Sequence, residues 1–85
     1  MSTFKCTILS KAETLLNEEV VSLDLPGADG GFSILANHTP LIAMLGKGIV
    51  RARLKNSNEA KTFNIHKGSV EMARNHATVL VDLQS

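Results

Sequence analysis

Val50-Arg51-Ala52-Arg53-Leu54-Lys55 alternates apolar and cationic side chains one by one. A period of two places Val50, Ala52 and Leu54 on one face of a β-strand and the three cations on the other. The same period runs outward in both directions. Upstream, Phe4, Cys6 and Ile8 alternate with Lys5 and Thr7, and Val21, Leu23 and Leu25 alternate with Ser22 and Asp24. Downstream, Phe63 and Ile65 alternate with Thr62 and Asn64, and Ala77, Val79, Val81 and Leu83 form a closing set. Turn-forming residues punctuate these runs at Pro26-Gly27, Asp29-Gly30-Gly31, Asn37 to Pro40, Gly46-Lys47-Gly48, Asn56-Ser57-Asn58, Lys67-Gly68 and Asn75-His76. Strands separated by turns about every ten residues predict an all-β sandwich or barrel. The stretch Lys11 to Glu19 carries helix formers, and Leu15-Leu16 fits either period. It reads as a hairpin with short strands.

Size and composition narrow the function. The chain has 85 residues, enough for one domain. A domain of this size buries only about 60–65% of the surface its unfolded chain exposes, so covering by a partner would add materially to its stability. Nine basic against eight acidic residues leave a net charge of +1. Such a balance makes no field that selects nucleic acid or anionic lipid. There is no Trp or Tyr and there are only three Phe, so the stacking platforms of a single-strand reader are nearly missing. Cys6 stands alone, which excludes an internal disulfide and a cysteine-based zinc site and favours a reducing compartment. The opening Met-Ser-Thr-Phe-Lys-Cys does not read as a signal peptide. No apolar run approaches the roughly 20 residues of a spanning helix. The expectation is a soluble chain that meets a membrane only through a partner.

Two stretches break the half-buried rule. In Leu41-Ile42-Ala43-Met44-Leu45 and in Val79-Leu80-Val81 both alternating sets are apolar. One face of a sandwich strand meets the core and the other meets water. An apolar second face therefore calls for a cover, from a loop or corner of the same chain or from another protein. Chemistry finds little footing elsewhere. His38, His66 and His76 lie far apart, without carboxylates at ligand spacing, so no metal site is expected. His66 and His76 read as turn residues at strand ends, and His38 stands in Asn-His-Thr-Pro just before the first doubly apolar run. No serine or cysteine has the setting of a nucleophile, and no catalytic residue is assigned. Gly27, Gly30 and Gly31 lack the following helix of a phosphate cradle and read as a hairpin turn that needs positive φ. Arg51, Arg53 and Lys55 read as a solvated strand face, with a small nucleic-acid-binding β-barrel as the alternative.

The stretch from Leu25 to Arg53, Leu-Pro-Gly-Ala-Asp-Gly-Gly-Phe-Ser-Ile-Leu-Ala-Asn-His-Thr-Pro-Leu-Ile-Ala-Met-Leu-Gly-Lys-Gly-Ile-Val-Arg-Ala-Arg, resembles the epsilon subunit family of F-type ATP synthases. The matching positions are Gly30, Ile34, His38, Pro40, Leu41, Gly48, Val50 and Arg51, with further likeness at Gly68-Ser-Val-Glu-Met and Ala77-Thr-Val-Leu-Val-Asp, and a looser one at Cys6-Thr-Ile-Leu-Ser. The resemblance implies one domain over residues 1–85, a two-sheet antiparallel β-sandwich of about ten strands. It implies a non-catalytic rotor subunit that couples proton-driven rotation of the c-ring to the gamma subunit for ATP synthesis, without a cofactor. Its place would be peripheral, on the cytoplasmic face of the bacterial inner membrane. Carried over by position, Asp29, Gly30 and Gly31 would approach the c-ring, and Ser10, His38, Thr39, Pro40, Leu41, Ile42, Val79 and Leu80 would meet gamma. Gly31 stands where the family often carries Glu, and Ser33 where Gly is frequent. Many members continue into an inhibitory, ATP-binding C-terminal helical hairpin. The chain resembles the short form without it, or a shortened piece of a longer one.

Overall fold

The computed structural model describes residues 2–84. Met1 and Ser85, the ends of the expected domain, lie outside them. Seven strands account for nearly all the described chain: β1 (Phe4–Leu9), β2 (Thr14–Gly27), β3 (Gly30–Leu35), β4 (Leu41–Leu45), β5 (Gly48–Leu54), β6 (Ala60–Ala73) and β7 (His76–Leu83). Two of them, β2 and β6, are 14 residues long and serve both layers. The first half of β2 pairs with β1 and the second with β3 and β5. The first half of β6 pairs with β5 and the second with β4 and β7. Counting each long strand twice brings the architecture near the ten strands expected. One pairing departs from the antiparallel expectation: β1 and β7 run parallel, so the sheet is mixed. A parallel pair needs a long connection, and these strands lie at opposite ends of the sequence.

The crossing between layers depends on two irregularities. The register of β2 shifts between Val20 and Ser22, and that of β6 between Ile65 and Lys67. A bulge adds one residue, bends the strand and reverses which alternating set faces inward. Val20 and Leu23 are therefore both buried, an odd step apart, as are Ile65 and Val70. This corrects two expectations. Val20, with Val21 only half-buried, holds the inward position in β2. Lys67-Gly68 is part of the bend in β6 and not a turn between strands. Likewise Pro26-Gly27 closes β2, and the turn falls on Ala28-Asp29. The Lys11–Glu19 stretch does make a hairpin, turning at Ser10–Glu13, but its second strand continues to Gly27.

The inward sets merge into one core, from Phe4, Cys6 and Ile8 of β1 to Ala77, Val79 and Val81 of β7. Among the described residues no polar side chain is buried. The core therefore carries no unpaired polar group to weaken it.

Candidate functional site

The outer face of the layer formed by β4, β6, β7, β1 and the start of β2 is built in rows. Backbone register aligns Met44 with Ser69, Ser69 with Leu80, and Leu80 with Leu9. The next row aligns Ile42, Glu71, Thr78, Thr7 and Asn17. Neighbouring strands lie about 4.8 Å apart, so the first row spans roughly 14 Å. Ile42 is 79% exposed, Met44 66% and Leu80 52%. Together they present on the order of 300–400 Å² of apolar surface, the size at which such patches on small proteins mark binding sites. Ser69 is short and Gly68 has no side chain, so a groove opens between Met44 and Leu80, with Leu9 and Ser10 on its rim. Lys67 and Asp82 stand 3.9 Å apart at one end of the groove. Polar groups border the other row: Thr7 Oγ1 donates to Asn17 Oδ1 at 3.3 Å and lies 3.0 Å from His76 Nε2.

The opposite outer face differs in kind. Its register aligns Ser33 with Asp24, Asp24 with Arg51, and Arg51 with Thr62. Ser33 Oγ donates to Asp24 Oδ1 at 2.6 Å, and Arg51 and Arg53 are exposed. This face is mainly polar, and its exposed apolar residues, Leu35 and Ile49, lie in separate rows on either side of the Asp24–Arg51 row.

The residues singled out by sequence divide into three groups. Leu80 and Ser10 line the groove, and Ile42 stands exposed on the same face one row away, next to Met44 along β4. Pro40 lies beside Ile42 at the start of β4, while His38 and Thr39 form the exposed loop before it, with His38 Nδ1 2.7 Å from the Thr39 carbonyl. Val79 is the clear correction: its side chain is fully buried in the core, so it has no surface to offer. Alternation forces this, because Leu80 takes the outward position. Leu41 is turned partly inward as well and packs against the core. Met44 and Leu9 join the site without having been assigned to it. The signal for Leu9 was available: Lys5 and Thr7 are polar outward positions in β1, and Leu9 breaks their series. His76 starts β7 as expected, whereas His66 lies inside β6 next to the bulge rather than at a strand end.

Asp29, Gly30 and Gly31 are exposed at the tip of the β2–β3 hairpin. Gly27 pairs with Gly30, which leaves a two-residue loop of Ala28 and Asp29. Gly30 has φ of 130°, in the region that only glycine enters without strain. The tip lies at the same end as the groove, since Ala28 N–H donates to the Met44 carbonyl at 2.9 Å.

Comparison with known proteins agrees with this architecture. The profile of the family described as "ATP synthase, Delta/Epsilon chain, beta-sandwich domain" matches residues 3–83. The ATP synthase epsilon chain of Protochlamydia amoebophila (strain UWE25) is 36% identical over 80 residues, covering 93% of this chain and 53% of that protein. The ATP synthase epsilon chain of Chlorobium limicola is 37% identical over 79 residues, covering 93% and 89% respectively. In fold, a chain of the Euglena gracilis mitochondrial ATP synthase cryo-EM structure (OSCP/F1/c-ring) superposes with a TM-score of 0.87 at 17% identity, over 95% of this chain and 51% of that one. The chain thus spans about half the length of the first relative and of the solved structure, and nearly the whole of the Chlorobium one.

Proposed function

The chain belongs to the delta/epsilon-chain β-sandwich family of ATP synthase, and from that premise we propose that it is a non-catalytic part of the central stalk. In this reading the exposed apolar side chains of Ile42, Met44 and Leu80 grip the gamma subunit, and the hairpin tip at Asp29, Gly30 and Gly31 meets the c-ring. The sandwich acts as one rigid body between the two. Proton-driven rotation of the ring reaches the stalk through packed contacts, since close-packed interiors resist deformation. The observation that carries the proposal is the clustering on one outer face: Met44 and Leu80 flank a groove with Ile42 next to Met44, whereas on the other face the exposed Leu35 and Ile49 stand in separate rows among Ser33, Asp24, Arg51 and Arg53.

The division of labour follows from chemistry. Exposed Ile42, Met44 and Leu80 supply apolar anchors, with Pro40 and Ser10 at the margins. His38 and Thr39 fix orientation by polar contacts at the edge, where hydrogen bonds set register more than affinity. At the tip, short residues allow another backbone to approach closely, and Asp29 provides the one charge. No cofactor is called for. The site of action is peripheral, at the cytoplasmic face of a bacterial inner membrane.

Reconstitution tests the proposal. Inverted membrane vesicles stripped of this subunit should regain proton-driven ATP synthesis when the wild-type chain is added back with the rest of the stalk. The Leu80→Asp chain should restore it poorly. Full restoration by Leu80→Asp, or no binding of the wild-type chain to gamma, would overturn it.

A further inference from the structure

β4 bonds to β6 along one side and is almost unpaired along the other. On that second side Ala28 N–H donates to the Met44 carbonyl at 2.9 Å, and Gly46 N–H donates to the Pro26 carbonyl at 2.8 Å. These two bonds flank the single Gly27–Leu45 pairing and end the ladder there. In an antiparallel ladder a residue turns its N–H and C=O to the same side, and neighbours alternate. The Met44 carbonyl points away from β6, so the Met44 N–H does too, as do both backbone groups of Ile42. The Met44 N–H and the N–H and C=O of Ile42 have no backbone partner among the described residues. Proteins normally blunt such an edge with charge, proline or a bulge. Here Pro40 blunts only its start, and no charged residue occurs from Thr39 to Gly46.

The open edge also has a facing wall. Gly27, Ala28 and Phe32 of the β2–β3 hairpin lie across a cleft from Ile42, Ala43 and Met44, with Asp29 on its rim. Apart from Asp29 its side chains are apolar, exposed backbone supplies the polar part of the lining, and Met44 borders both this cleft and the Met44–Leu80 groove.

We propose that this cleft receives an extended segment of the gamma subunit, which adds to β4 as an extra strand. The proposal rests on the stalk function above and deepens it by naming the binding mode. Backbone bonds to Ile42 and Met44 supply affinity, as in other cases of strand addition to a free edge. The segment it fits is uncharged and apolar at alternate positions, with a Lys or Arg where it passes Asp29. Seated there, it braces the hairpin tip against β4, so that the ring contact and the stalk contact share one hydrogen-bonded unit.

The test uses the 85-residue chain and recombinant gamma. Amide hydrogen exchange is read at Ile42 and Met44 with and without gamma, and affinities are compared for Ile42→Ala and Ile42→Pro. Proline removes the N–H that points away from β6 and leaves the β6 ladder intact. Both amides are expected to slow at least tenfold in the complex. Ile42→Pro is expected to bind about tenfold more weakly than Ile42→Ala, the loss of roughly one hydrogen bond. If gamma binds while both amides keep exchanging at the free rate, the added strand is refuted and the stalk function stands. If gamma does not bind the wild-type chain at all, both fall. If the amides become protected in the chain alone as its concentration rises, a second copy occupies the edge and gamma is the wrong occupant. Should Ile42→Pro fail to fold, the exchange measurement on the wild type decides.

Discussion

Replacing Gly68 with alanine should destabilise the sandwich strongly, and the reason is steric, not conformational. A Cβ at Gly68 would lie closer than 3.0 Å to the Leu80 carbonyl oxygen and 3.3 Å from Val81 Cα, where ordinary contact begins at 3.4 Å. Neither neighbour is a flexible tip. Both are backbone atoms of β7, held in register by the Gly68–Val81 and Ser69–Leu80 pairings. To admit the methyl, β7 must move away from β6 beside the bulge. Overpacking of this kind costs about 1–3 kcal/mol. One strained ladder hydrogen bond adds about 1 kcal/mol. A total of about 3 kcal/mol would lower Tm by roughly 12–24 °C in a domain of this size. Thermal unfolding followed by circular dichroism measures it, with Gly31→Ala as the control. A Cβ at Gly31 meets only the Leu25 carbonyl at 3.6 Å, an ordinary contact, so its Tm should move by less than a few degrees. A Gly68→Ala chain melting within a few degrees of wild type would show that β6 and β7 can separate freely, and the rigidity argued for the groove floor would be wrong.

Neighbouring residues in β7 should behave in opposite ways. Val79→Ala removes two fully buried methyl groups and should cost about 2–3 kcal/mol in chemical denaturation, whereas Leu80→Ala should stay within about 0.5 kcal/mol. Leu80→Asp should leave the melting temperature nearly unchanged yet reduce gamma affinity at least tenfold by isothermal titration. Equal loss of stability and binding would mean that the residue is structural. Cys6 is buried, and burial pushes its thiol up from 9.0 to about 12. Above pH 9 the unfolded chain releases this proton while the folded chain keeps it, so the unfolded state binds fewer protons and stability falls as pH rises. The slope should approach 1.4 kcal/mol per pH unit between pH 9 and 12, and Cys6→Ala should abolish that part of it. Denaturant titrations at pH 8, 9.5 and 10.5 measure the difference between the two chains.

Much of the fold was legible because one physical rule dominates it. Where polar and apolar residues alternate strictly, as in Phe4 to Ile8 and Val50 to Leu54, the inward set is fixed by composition alone and the structure agrees. The rule fails in two ways. At Val20–Ser22 and Ile65–Lys67 the chain inserts a residue, and the sequence shows no glycine or proline at the step to mark it. Lys67-Gly68 looked like a turn because glycine there serves close packing against β7. In Leu41–Leu45 and Val79–Val81 both sets are apolar, so alternation cannot say which one faces in. The resemblance, carried over by position, puts Val79 on a surface it cannot reach and passes over Met44, and alternation cannot correct either where both sets are apolar.

The same ambiguity points to function. A strand whose outward set is as greasy as its inward set contradicts the pattern that places a sandwich in water, and such local contradictions concentrate where a second surface completes the fold. Here the two contradictory strands are not scattered. β6 lies between them and aligns Met44 with Leu80 through Ser69, the smallest side chain in that row. A large residue at Ser69 would fill the groove and bury the patch within its own molecule. A small one keeps the two anchors apart and open. With β4 also left largely unpaired along its other edge, the apolar face meets the free backbone groups of Ile42 and the free Met44 N–H. A partner seated there can gain apolar burial and ladder hydrogen bonds at the same residues, which makes this corner of the sandwich the place where binding would be strongest.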